Sequence, residues 1–340
     1  MKNKKQLSEE LFAGNLSAGI LFRPILMHFA ARFGGTTYGK FASDHKTLVD
    51  CNIRCMEHFD ADMVGLISDP YRETSAFGAK ISFPAEAVPR CENILVKTPE
   101  DVRELKNPDV YKSPRTLDRI EGARLFQKEL KGTVPVIGWI EGPLAEACDL
   151  AGISEMLMHM MTDPSLSDTL MDKCVVTAKE FALAQIEAGC DIIGIGDAIC
   201  SQIDPDTYNM QVKGRHHEII SFIQEKGARV KLHICGDITH LLPSIAGLNV
   251  DILDLDFMVD MRHARETVGP GPVLCGNINP VLVQDLSAGE LEERLHGMIA
   301  SMQGQKYILS AGCEITVDTP PENLMTMSLS RRRFSHGGNV

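Results

Sequence analysis

The sequence predicts a single-domain (β/α)8 barrel over residues 1–340, with about 15 N-terminal and about 10 C-terminal residues peripheral to it. Three observations carry that expectation. Short runs of apolar and β-branched residues recur eight times, at 20–27, 63–67, 134–140, 192–195, 230–234, 252–255, 272–274 and 307–309. Amphipathic stretches of helical period separate them, such as 165–187, 216–227 and 286–303. Finally, no Gly-x-Gly-x-x-Gly joins a strand to a helix, which disfavours an open dinucleotide-binding sheet, and no linker of biased composition divides the chain.

The elements follow in order. The first run leads into His28 and Arg32, the second into Asp69. An insert at 71–131 reads as surface helices with a lid-like loop. In it, Thr98-Pro99-Glu100-Asp101 places Thr at a helix N-cap and Pro at the first helical position, and Thr319-Pro320-Pro321-Glu322 repeats the signature near the end. Glu141 follows the third run, Asp197 the fourth, and Gly194-Ile195-Gly196 reads as close strand packing. Ala188-Gly189 and Lys226-Gly227 end helices ahead of the fourth and fifth runs. His233 and Cys235 end the fifth run, Asp254 and Asp256 the sixth, Asn277 follows the seventh and Cys313 the eighth. A barrel gathers all of these at one rim, where barrel enzymes carry their chemistry.

Residues i and i+2 of a strand share a face, so His233 and Cys235 project together. Imidazole beside thiolate suits a borderline metal such as zinc, and Cys313 is the third ligand candidate. Three protein ligands leave one position open, the pattern of a catalytic zinc, which Asp256, or else Asp254, could fill. Glu141, Asp149 and Asp197 read equally as acid–base groups or pocket walls, and His28 as a pocket or core histidine. Arg32 reads as a grip for an anionic substrate group or as half of a salt bridge. His216, His217 and His240 read as surface or helix-end residues, and Met156, Met158, Met160 and Met161 as core filler.

Composition limits the function classes. A net charge of −12 argues against nucleic acid as a partner, and the Arg331-Arg332-Arg333 cluster reads as a solvated tail or, more sharply, as a phosphate or partner contact. Hydrophobic content of 44% suffices for a large core, yet no apolar run reaches the ~20 residues that span a bilayer, so no membrane contact is expected. The basic start runs into Ser8-Glu9-Glu10 rather than an apolar signal region, so the chain is read as soluble and cytoplasmic. Ten cysteines then read as free thiols, with Cys51, Cys55, Cys148, Cys174, Cys190 and Cys200 as small buried hydrophobes.

Six segments carry a family resemblance: Phe22-Arg23-Pro24-Ile25-Leu26-Met27, Asp60-Ala61-Asp62-Met63-Val64, Gly142-Pro143-Leu144, His233-Ile234-Cys235-Gly236, Cys275-Gly276-Asn277-Ile278 and Asp318-Thr319-Pro320-Pro321-Glu322-Asn323. Together they resemble the uroporphyrinogen decarboxylase superfamily over essentially the whole chain. Within it, His-x-Cys with a distant Cys is similar to the zinc-dependent methylcobamide:coenzyme M methyltransferases. Departures from the decarboxylase pattern point the same way. Of two arginines in the first-strand motif only Arg32 remains, His28 holding the other place; the catalytic-site tyrosine corresponds to Asp149, and Gly-His-Gly to Gly312-Cys313-Glu314. Asp69 matches the central aspartate. The resemblance implies Zn2+, a methylcorrinoid (cobalamin) co-substrate on a separate corrinoid protein, and an acceptor thiol such as coenzyme M, whose sulfonate Arg32 and Asn277 would hold. It leaves open tetrahydrofolate as acceptor, transfer from a primary methyl donor to the corrinoid protein, a metal-free decarboxylase acting on a porphyrinogen, and a non-catalytic barrel.

Overall fold

The computed structural model describes residues 2–335. All eight expected runs overlap strands of one parallel sheet: β1 (Leu21–Phe22), β2 (Val64–Gly65), β3 (Val136–Glu141), β4 (Ile192–Gly196), β5 (Arg229–Ile234), β6 (Ile252–Leu255), β7 (Val273–Ile278) and β8 (Tyr307–Ala311). Each neighbours the next in space from β2 round to β8, and β8 returns to β1. Between β1 and β2 the ring is joined by Asp62, whose N–H donates to the Phe22 carbonyl (2.8 Å) and whose carboxylate accepts the Phe22 N–H (2.7 Å). This is the (β/α)8 barrel.

The two-residue period of the strands stacks their inward side chains in layers. The lowest layer is apolar, with Leu21, Met63, Ile137, Ile192, Ile252, Val273 and Ile308 in one cluster. Two residues further along each strand, the period brings Arg23, Trp139, Lys231, Asp254, Cys275 and Ser310 inward, all buried. Gly65 and Gly194 make room in that layer, since a Cβ would lie 2.4 Å from the Arg23 guanidinium and 2.3 Å from the Trp139 ring. The next step up is the rim, with Glu141, His233, Asp256, Asn277 and Gly312.

Four sequence expectations change. The N-terminal residues are not peripheral, because the helix Lys4–Phe12 sets Leu11, 1% exposed, into the lowest layer and closes that end of the barrel. Arg331 is no solvated tail residue: its buried guanidinium pairs with Asp62 and Asp60 and ties the last helix to β2, while 336–340, within the expected C-terminal periphery, lie outside the described residues. The insert at 71–131 carries helices and a short hairpin, Ile81–Ser82 with Arg90–Cys91, but Arg72, Glu73, Arg115 and Arg119 in it are deeply buried. Met156 and Met160 are core, whereas Met158 and Met161 face solvent from the same helix, Ile153–Thr162. Helix starts agree closely. Thr98 caps Pro99–Glu104 with Asp101 closing a capping box, and the final helix begins at Pro321, one residue beyond the expected start. The six cysteines assigned to packing are all buried.

Candidate metal centre

His233 is the penultimate residue of β5 and Cys235 follows the strand's end, so strand alternation aims both at the rim. Cys313 comes from β8, where Gly312 lets the chain press against the loop after β6: a Cβ there would sit 2.2 Å from the Phe257 nitrogen. The result is a compact triad. His233 Nε2 lies 2.9 Å from Cys235 Sγ, Cys235 Sγ lies 3.7 Å from Cys313 Sγ, and one ligand atom from each residue falls within 4.8 Å of the others. The imidazole is nearly buried and the thiols half-buried, so the donor atoms stand at the edge of solvent.

The groups share charge among themselves. The hydrogen bond with Cys235, then His233, hold the Cys313 thiol down at about 5, while the same bond and burial push the Cys235 thiol up. Burial opposes a charge on His233, but Asp254 overrides it and raises the imidazole to about 10. Asp254 Oδ2 lies 3.0 Å from His233 Nδ1 and 2.9 Å from Lys231 Nζ, which keeps this buried carboxylate ionised. A carboxylate on Nδ1 turns Nε2 outward as a ligand.

The set fits zinc. Two sulfurs about 2.3 Å from a tetrahedral zinc stand about 3.8 Å apart, close to the 3.7 Å found here. The imidazole–thiol edge of 2.9 Å is shorter than the tetrahedral value of about 3.5 Å, a difference a small rotation of Cys235 covers.

The other expected site residues divide. Asp256 does not present a free carboxylate to the triad: its oxygens accept the N–H of Gly236 (2.9 Å) and Met258 (3.3 Å), which ties the turn after Cys235 to the loop after β6. Asn277 is likewise committed, its amide nitrogen donating to the Asp256 and Val259 carbonyls at 2.9 and 2.7 Å, and it braces the same loop instead of reaching a substrate. Asp197 lies wholly buried under the helix Pro143–Ala151, accepting the Ala145 N–H (2.7 Å) and facing His216 Nε2 (2.9 Å). Gly142 permits that, since a Cβ would be 2.4 Å from the carboxylate. His216, expected at the surface, is therefore a core residue that also meets the Tyr208 hydroxyl (2.9 Å); His217 and His240 are exposed. Arg32 is exposed and paired with Asp318. His28 stacks on Tyr38, ring centroids 4.6 Å apart.

Asp69 and Glu141 belong to a second cluster at the ends of β2 and β3. Arg115 Nη2 lies 2.5 Å from Asp69, Arg72 Nη2 lies 2.7 Å from Glu141, and Glu73 accepts the Glu141 N–H (2.9 Å). Burial works against the Asp69 charge, but Arg115 and Arg72 hold its carboxyl down at about 2. Asp149 is pushed the other way, to about 7, by burial and by the Glu73 charge.

Sequence reasoning missed Lys231, although it stands two residues before His233 on the same strand face. It also missed Glu314, whose carboxylate accepts the His28 N–H (2.7 Å) and caps a helix, His28–Phe33, that lacks a side-chain cap of its own. No local pattern marks Glu314, because its partner is remote in the chain.

Residues 22–334 match the family described as Uroporphyrinogen decarboxylase (URO-D). The chain belongs to the uroporphyrinogen decarboxylase family. Its relatives there carry two kinds of name. The methylcobamide:CoM methyltransferase MtaA of Methanosarcina barkeri is 25% identical over 218 residues, 63% of this chain and 63% of that protein. The uroporphyrinogen decarboxylase of Trichlorobacter lovleyi is 28% identical over 289 residues, 82% of each. In structure, a methyltransferase from Methanosarcina mazei superposes with a TM-score of 0.90 at 19% identity, covering 98% of this chain and 99% of that one, so the two share the barrel fold. No helix among the described residues is long and apolar enough to cross a membrane.

Proposed function

We propose that this family member is a zinc-dependent methyltransferase that moves a methyl group from a methylcorrinoid, carried by a separate corrinoid protein, to an acceptor thiol such as coenzyme M. The observation that carries the reading is the triad itself, two thiols and an imidazole at zinc-ligand spacing on the rim of the barrel. The likeness to MtaA and to the Methanosarcina mazei methyltransferase supports it.

His233 Nε2, Cys235 Sγ and Cys313 Sγ would hold the ion. Zinc, when bound, supplies a cation that favours the acceptor sulfur as thiolate. Asp254 lies against the imidazole, 3.0 Å from Nδ1, and Asp256 and Asn277 hold the loop that Gly312 packs on. In the transfer a sulfur–carbon bond forms as the cobalt–carbon bond breaks. The bonding pair stays on the corrinoid as Co(I), and the thiol proton passes to solvent. Arg32, whose exposed pair with Asp318 exchanges readily in water, is the candidate for the acceptor's anionic end.

A decarboxylase reading has support from the Trichlorobacter lovleyi relative. Against it, the Asp69 carboxylate is already taken up by Arg115, Ser68 and the Tyr71 N–H.

The deciding measurement is the anaerobic visible spectrum of methylcobalamin with the zinc-loaded protein, adding coenzyme M or tetrahydrofolate in parallel. Loss of the methylcobalamin band with coenzyme M alone is expected. Loss with tetrahydrofolate alone would retain corrinoid methyl transfer and remove the thiol. A metal-free protein that decarboxylates uroporphyrinogen at full rate would overturn the proposal.

A further inference from the structure

The layer beneath the triad holds a lysine whose side chain is only 1% exposed, in a position where barrels ordinarily place branched apolar residues. Lys231 lies directly below His233 on β5, and Asp254 is the lateral neighbour of His233 on β6. One carboxylate oxygen, Asp254 Oδ2, faces both, at 2.9 Å from the ammonium and 3.0 Å from the ring nitrogen. Arg23 shares the layer and feels the Asp254 charge, but its Nη1 donates to the Pro24 carbonyl (2.7 Å); among the described residues Lys231 is the lysine or arginine in ion-pair contact with Asp254.

A buried ion pair is often no more stabilising than apolar residues of the same volume, so packing does not account for this one. Orienting the imidazole does not account for it either, because a carboxylate on Nδ1 is enough for that. What the lysine adds is charge. Two thiolates and a neutral imidazole on a dication sum to zero, and an acceptor bound as thiolate takes the set to −1. A lone Asp254 carboxylate behind His233 would repel that added charge through a medium of low effective dielectric. We propose that Lys231 is a positioning residue whose ammonium cancels the Asp254 charge, so that the carboxylate can hold His233 without opposing an anionic sulfur at the open coordination position.

This rests on the thiol-acceptor reading, and ligands of different charge separate the two. With cobalt(II) in place of zinc, the visible bands report ligand binding, using 2-mercaptoethanol as the sulfur that binds as an anion and imidazole as the neutral probe. Lys231→Met should bind 2-mercaptoethanol at least about tenfold more weakly while holding imidazole within about threefold of the wild type. Lys231→Met combined with Asp254→Asn, which removes both members of the pair, should recover 2-mercaptoethanol binding to within about threefold and should lose metal to a chelator about tenfold more readily. Equal weakening of both probes in the single variant would assign Lys231 to packing and overturn the proposal, as would a double variant still selectively poor in thiol binding. The double variant also decides the matter if the single one fails to fold. A wild-type cobalt protein that takes imidazole but no thiol would remove the acceptor reading, and this inference with it.

Discussion

Two arcs of the barrel rim are crowded with polar side chains and use them in opposite ways. At β2 and β3, Asp69, Arg72, Glu73, Arg115 and Glu141 meet one another, carboxylate to guanidinium, in a buried network. At β5 and β8, His233, Cys235 and Cys313 bring three electron-pair donors together, with no lysine or arginine of the described residues paired to them. The first arc pairs its charges within the chain, although Arg72 Nε, Arg115 Nε and Glu73 Oε2 stay without a hydrogen-bond partner; the second fits a guest. Polar residues converge on every barrel rim by topology, so convergence alone does not mark a reactive centre. What sets the β5/β8 arc apart is a donor set whose mutual spacing suits a metal ion.

That contrast can be broken from either side. The largest expected effect is structural. Arg72→Met strands Glu141 and Glu73 in the interior and should cost about 3–5 kcal/mol in urea unfolding, while zinc content per folded molecule stays unchanged. Cys235→Ser or Cys313→Ser should do the reverse. Either should weaken zinc by roughly a hundredfold or more in chelator competition, about 3 kcal/mol, and leave the urea midpoint of the zinc-free protein where it was. A serine variant that keeps zinc and methyl transfer in full would erase the distinction between the arcs.

The ion-pair arc also has a pH signature. The Asp69 carboxyl, held down at about 2, contributes stability that is whole above its unfolded value of about 3.9 and is lost as pH falls through 2, about 3 kcal/mol in all. Asp149, pushed up to about 7, has the opposite sign: the folded state keeps its proton longer, so stability declines as pH rises from about 4 towards 7. Thermal melts across pH should therefore show a shallower acid limb in Asp69→Asn and a shallower decline towards neutrality in Asp149→Asn, the remainder coming from Asp254 on the acid side and from Glu314 near neutrality. A wild-type profile flat from pH 2 to 7 would contradict both assignments.

The smallest effect is at the rim's outer edge. Arg32→Ala removes an exposed pair with Asp318 and should leave the melting temperature unchanged. If Arg32 receives the acceptor's sulfonate, the same variant raises KM for coenzyme M several-fold and leaves KM for 2-mercaptoethanol alone. A parallel rise for both thiols would place the anionic end elsewhere.

Much of this molecule was legible in its sequence because barrel order is local. Each run carries its own apolar content and each helix its own period, so all eight strands could be placed before their partners were known, and Thr98 announces its helix within four residues. His233 and Cys235 followed from the two-residue strand period, and Cys313 from the end of an apolar run. The tertiary structure alone decided what each polar side chain meets. Asp197 and His216 are 19 residues apart, Asp256 and Asn277 share a loop 21 apart, and Arg331 reaches Asp62 across 269. Such partners are chosen by which strand ends the closed ring sets side by side, and closure depends on every intervening element at once. The sequence by itself therefore determined the barrel and the chemical identity of the triad. Which carboxylates are ion-paired scaffold, and which lies behind the imidazole, was settled only when the ring closed.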